Sequence, residues 1–215
     1  HPHLLRWPLS SPMNPISIWS ATPFVYQVLK SLGVELEIFE CPWVRCLRLL
    51  ELGEADIVDH VFFTQARARY LTYLPEPYIK RDYEFRFYVL NTSDIELNQL
   101  SDLQGKSIST IKGDAYFPEF DHDVTLIKYP TLSHIQAIQM VLKGRIDLVI
   151  TSPALNHDVV RRVDTEGQLK ELAFKHSVKR GVFLAVSKQS SWSEHIELLA
   201  NTQQRVLANR ASARQ

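Results

Sequence analysis

The chain predicts an α/β fold built as two similar lobes, and three observations carry that expectation. Short apolar runs alternate with amphipathic stretches along its 215 residues, which is the strand, helix, strand order of α/β proteins. Several of the runs are apolar on both faces, as suits a mostly parallel sheet covered by helices. The corner Gly53-Glu54-Ala55-Asp56-Ile57-Val58 returns as Gly144-Arg145-Ile146-Asp147-Leu148-Val149, each time after an amphipathic helix. Glycine caps and buried strands are common enough for a chance echo. Two lobes, each with its own sheet, is the expectation that uses the echo.

Taken in order, residues 4–9, 34–39, 56–63, 85–90, 107–111, 126–129, 147–151 and 182–187 read as strands. Residues 24–32, 44–52, 132–143 and 193–209 carry apolar side chains at helical spacing. Leu132, Ile135, Ile138, Val141 and Leu142 form one such face, with Thr131 as its expected N-cap. Gly33, Gly53 and Gly144 stand where helices should stop. The polar cluster Asn91-Thr92-Ser93-Asp94 marks a turn where one lobe would give way to the next.

Composition narrows the function. Lys plus Arg and Asp plus Glu both number 24, so no net field draws polyphosphate, and nucleic acid is not an expected partner. The apolar run Val182–Val186 falls far short of the roughly 18 residues a bilayer crossing needs. The chain opens His1-Pro2-His3 without a basic start or apolar run, so a secretory leader either never existed or is already removed. Cys41 and Cys46 fit no four-ligand zinc pattern and are expected as two buried free thiols. His157-Asp158 and His122-Asp123 supply imidazole beside carboxylate, yet no G-x-S-x-G, H-E-x-x-H, P-loop or G-x-G-x-x-G accompanies them. No metal, cofactor or catalytic residue is therefore expected.

Short motifs at particular spacings carry a resemblance. They are Trp43-Val44-Arg45 leading a helix into Gly53-Glu54-Ala55-Asp56, then Thr64-Gln65-Ala66-Arg67, Pro75-Glu76-Pro77-Tyr78, Asp102-Leu103-Gln104-Gly105-Lys106 and Gly144-Arg145-Ile146-Asp147. In this order the chain resembles the type II periplasmic solute-binding proteins, in their polar-amino-acid branch, over nearly its whole length. The resemblance implies a two-lobed clamp with two hinge crossings, the first lobe being residues 1–89 plus 180–215 and the second 90–179. It implies a monomeric, signal-peptide-bearing periplasmic protein that holds a small polar ligand between its lobes for the membrane component of an ABC importer. A sensory domain of a signalling protein is the alternative use of the same clamp, and a catalytic variant the next.

The same resemblance directs attention to particular side chains. Arg67, in the T-x-x-R run after the third strand, would pair with a ligand carboxylate through a bidentate guanidinium. Thr64 would join it or merely cap a short helix, and Arg69 lies close enough to compete for the role. Trp43 matches an aromatic wall and Arg45 follows it, although a tryptophan is also an ordinary core residue. His60 and Phe62 fall at the end of the third strand, on the rim where open α/β sheets bind ligands; for His60 a hydrogen-bonded structural role is the competing reading.

The second lobe departs from the family's pattern. Gly113-Asp114-Ala115-Tyr116 stands where small hydroxyl residues follow a glycine, so Asp114 weighs against carboxylate binding there while Tyr116 offers a ring and a hydroxyl. Ser152 stands where an aspartate would hold a ligand ammonium. A carboxylate-bearing ligand without a compulsory ammonium is the resulting expectation.

Overall fold

The computed structural model describes residues 16–19, 21–151 and 156–213. Contacts divide the chain into two compact units. The first holds the described residues up to Cys41, with Arg45–Lys80 and those from Gly181 onward; the second holds Pro42–Val44 and Arg81–Arg180.

In the first unit β1 (Ile16–Trp19), α1 (Pro23–Lys30), β2 (Leu36–Phe39), α2 (Trp43–Leu52), β3 (Ile57–Phe62) and β4 (Leu71–Tyr73) follow one another. The second unit takes most of β5 (Ile79–Leu90), then β6 (Ser107–Ile111), α3 (Pro118–Asp121), β7 (Ile127–Thr131), α4 (His134–Leu142), β8 (Leu148–Thr151) and α5 (Asn156–Val163). The chain then runs through β9 (Leu169–Ser187) and closes the first unit with α6 (Ile196–Ser212).

The repeated corner reflects a repeated topology. β1 lies between β2 and β3, parallel to both, and β6 lies between β7 and β8 in the same way. An antiparallel strand then flanks each set: β9 on β3, and β5 on β8. Both corner aspartates tie down a serine. Asp56 accepts from Ser190 Oγ at 2.6 Å, and Asp147 accepts from the amide and hydroxyl of Ser107 at 2.7 Å. Gly33, Gly53 and Gly144 all have positive φ, at 72°, 76° and 63°, as helix-ending glycines require.

The expectation of two separate sheets is corrected. β9 takes part in both ladders, so the hydrogen-bonded order runs β2-β1-β3-β9-β5-β8-β6-β7 as one path, with β4 also on β9. Along the chain the first unit runs to Lys80 and the second takes up at Arg81. β5 begins at Ile79, ahead of the strand expected over 85–90, and Tyr83 in this added part is buried, as is Phe85, which lies in a core with Phe87, Phe117 and Phe120. Charged neighbours of buried strand residues are what a strand with one solvated face shows.

Other local expectations shift. Ser133, not Thr131, caps α4, accepting from the Gln136 amide at 3.1 Å. The Thr131 hydroxyl instead donates to the Thr110 carbonyl at 2.9 Å. The strand expected over residues 4–9 lies outside the described residues.

Cys41 and Cys46 are joined in a disulfide with Cα atoms 5.7 Å apart, which corrects the expectation of free thiols. They flank the start of α2, a position where a separation of five residues brings the two side chains to one side of a first helical turn. Closing so short a loop restricts the unfolded chain by only about 2 kcal/mol. Replacing both cysteines by serine should lower the unfolding free energy by about that amount in urea melts. Unchanged stability would show that the pair contributes nothing to the fold.

Candidate ligand-binding site

β3 ends the first unit's parallel strands and carries an aspartate inside an apolar run. Asp59 is 2% exposed, and burying a carboxylate demands donors. Among the described residues it receives Thr22 N at 2.7 Å, His60 N at 2.5 Å and the Tyr78 hydroxyl at 2.5 Å. Burial first, and then the neighbouring Asp59, raise the Tyr78 pKa far above that of a free phenol, so the hydroxyl stays protonated and donating. Turning Asp59 inward interrupts the pairing of β3 with β9 between Val58 and Val61, a bulge. His60 absorbs it in the left-handed region at φ 56°, a costly backbone state for a residue with a Cβ. Its Nδ1 lies 3.4 Å from the Tyr78 oxygen.

Beyond the bulge the strand alternates. Phe62 points inward at 6% exposure while Phe63 is 50% exposed against the Tyr73 ring, centroids 5.0 Å apart. Phe62 thus contributes its carbonyl, which accepts from Arg67 at 3.1 Å and from the Tyr73 hydroxyl at 3.2 Å. Thr64 starts the next turn, its hydroxyl accepting from the Arg67 amide at 3.2 Å and its carbonyl from the Ala68 amide. That turn aims Arg67 back at β3, where it is 5% exposed, whereas Arg69 is exposed. His60, Phe62, Thr64 and Arg67 therefore fall together in one unit, as consecutive parts of a strand end and a short 3-10 turn.

The remaining expected residues lie elsewhere. The Trp43 indole donates to the Gly113 carbonyl at 3.0 Å, in the second unit, with which both residues are grouped. Tyr116 is core: 3% exposed, its hydroxyl accepts from the Ile111 amide at 2.9 Å and its ring packs on Phe85 and Phe120. A ring and hydroxyl so engaged form no pocket wall, contrary to the expectation from its place after Gly113. The amides of this turn are also engaged. Ala115 N donates to Asp114 at 3.0 Å and Tyr116 N to Asp121 at 3.0 Å, so the chain's own carboxylates take the donors an anion would need. Ser152 lies outside the described residues. No group of three His, Cys, Asp or Glu among the described residues is placed to hold a metal ion.

Asp59, Tyr78 and Phe63 are the residues that the sequence motifs did not single out for the site. The signal for Asp59 was present: an acidic residue between Val58 and Val61 in an apolar strand must find donors or disrupt it.

The fold has close counterparts. Over 89% of this chain and 94% of that one, the structure superposes on the arginine-bound truncated ArgBP from T. maritima with a TM-score of 0.69 at 16% identity. The chain has the two-lobed amino-acid-binding-protein fold. A substrate-binding protein of an amino acid ABC transporter gives 0.68 at 16% identity, over 91% of this chain and 94% of that one. An ancestral amino-acid-binding protein, AncCDT-1, described as a precursor of cyclohexadienyl dehydratase, gives 0.60 at 18% identity, over 83% of this chain and 74% of that one. No protein-family model and no curated protein matches the sequence.

Proposed function

We propose that this chain is a periplasmic solute-binding protein that takes up a small, polar, carboxylate-bearing ligand and delivers it to an ABC importer. The observation that carries the reading is Arg67, a 5%-exposed arginine set at the end of β3 by the Phe62 carbonyl and the Thr64 turn. A pre-set guanidinium spends little rotamer freedom on binding, and its planar fork matches a carboxylate. A ligand with one anionic group matches this single guanidinium better than one needing two charged anchors. The disulfide suits an oxidising compartment outside the cytoplasm. In that role the chain acts as a monomer.

A thermal-shift screen over amino acids, polyamines, sugars and small carboxylates tests the reading. A true ligand at about 100 times its Kd adds about 2.7 kcal/mol, which in a chain of this size is a shift of roughly 5–10 °C. Small carboxylates should lead the hits; a screen led by polyamines or uncharged sugars would count against the Arg67 anchor. The second reading, catalysis in the same site, is favoured by the likeness to a protein described as an enzyme's precursor. Turnover of the leading hit, followed by NMR, separates the two.

A further inference from the structure

Within the second unit, a shielded ring nitrogen without a partner stands where α4 meets α5. His134 opens α4 directly after its cap Ser133 and is half-buried. Its Nε2 is closed off from solvent and has no hydrogen-bond partner among the described residues. The small cavity it faces is lined by Ile111 from β6, Ile138 from α4, Val149 and Thr151 from β8, and Val159 and Val160 from α5. Thr151 brings a hydroxyl, which donates to the Arg86 carbonyl at 3.3 Å.

A neutral imidazole can leave one nitrogen as a bare lone pair, whereas a charged one carries a hydrogen on both. Here the added hydrogen would meet apolar side chains. The first turn of a helix is also its positive end, and α4 has no acidic residue there. From α5 come Arg161 and Arg162, both cations, and beyond β6 the exposed Lys112. From β5 comes Tyr88, in the same core as Ile138, its hydroxyl donating to Glu171 at 3.1 Å. Glu171 is paired in turn with Arg86 and Lys175. Asp164, just past α5, accepts from the Gln168 and Leu169 amides. Burial accordingly holds the His134 pKa below that of a free imidazole.

We propose that His134 is a pH-sensitive latch of the second unit: neutral, it lets α5 pack on α4 and β8, and protonated, it releases α5 from them. Because the folded pKa lies below the unfolded one, the open form takes up the proton first. The packing is at full strength above about pH 6.5, the pKa of a free imidazole, and is lost as pH falls below it. Thr151 ends β8 and His134 opens α4, at the strand-end rim where open α/β sheets hold ligands, so the order of that rim would follow the pH of the medium. The latch needs no ligand and stands apart from the reading of Arg67.

The test is amide hydrogen exchange of the full chain at about pH 7.5 and about pH 5, on either side of the free-imidazole pKa, read as protection factors so that the intrinsic pH dependence of exchange cancels. Protection across Asn156–Val163 should fall severalfold at the lower pH. Its ceiling is about thirtyfold, the preference of a free imidazole for the open form roughly 1.5 pH units below its pKa. His134→Gln, neutral at both pH values, should abolish the loss. His157→Gln, which removes the imidazole that α5 itself carries, should leave it in place. Amides of α6, in the first unit, are the reference and should hold. Equal losses in wild type and His134→Gln overturn the proposal, as does a loss shared by α6 or one that His157→Gln removes. Should His134→Gln fail to fold, the titration of the wild-type His134 ring followed by NMR decides. A midpoint below about 6.5, with the Val159 and Val160 methyl signals changing in parallel, is the expected result; a midpoint at or above that value, or unmoved methyls, overturns the latch.

Discussion

Asp59→Ala should destabilise the protein by about 3–5 kcal/mol, because it strips the buried Tyr78 hydroxyl and the part-buried Thr22 and His60 amides of their acceptor in one step. The carboxylate is 2% exposed and receives the Thr22 amide, the His60 amide and the Tyr78 hydroxyl at 2.5–2.7 Å. Each donor left without a partner costs about 1–3 kcal/mol, and relaxation recovers part of the sum. Tyr78 has no easy alternative, being held against Phe24 with ring centroids 5.0 Å apart. Asp59→Asn should lose about half as much, since its carbonyl still accepts while its amino group opposes a donor. Urea unfolding of the three proteins checks the order, with the midpoint falling and the slope unchanged. A loss below about 1 kcal/mol for Asp59→Ala would mean water replaces the carboxylate and the cluster is not a structural anchor.

Arg67→Ala should weaken the leading carboxylate ligand of the screen by about ten- to a hundredfold, the effect of losing a charge-assisted partner worth about 1.5–3 kcal/mol. Arg69→Ala should change affinity little, because that side chain is exposed on the same turn. Arg67→Lys keeps the charge and loses the planar fork, so it should fall between wild type and Arg67→Ala. Because Arg67 also donates to the Phe62 carbonyl, calorimetric titrations should be read only where the variant's melting curve remains cooperative. Equal affinity of Arg67→Ala and wild type would remove the anchor. Tight binding of a free α-amino acid, its ammonium held by a carboxylate such as Asp114, would overturn the preference for ligands lacking one.

Much of the topology was legible in the sequence because its causes are local. Helical spacing, glycines at positive φ and a repeated Gly-x-x-Asp corner each act within about a dozen residues, and they account for α1, α2, α4, α6 and the strands after both corners. The Thr64 cap was legible for the same reason, since an amide-to-hydroxyl bond three residues away is local, whereas Arg67 was singled out by the resemblance. The early halves of β5 and β9 were not legible. Their exposed faces are charged, and only pairing along the shared strand gives those residues a reason to extend. The buried role of Tyr116 likewise depends on Phe85 and Phe120 arriving from other elements, and the Cys41–Cys46 bond on the turn that begins α2. By itself, then, the sequence determined the order of elements, the helix stops and the turn that presents Arg67, all set by backbone sterics and near-neighbour bonds. Only the tertiary structure decided which donors meet Asp59, that Phe63 rather than Phe62 is exposed and that β9 serves both units. Burial and long-range pairing are properties of distant segments meeting, and no local pattern encodes them.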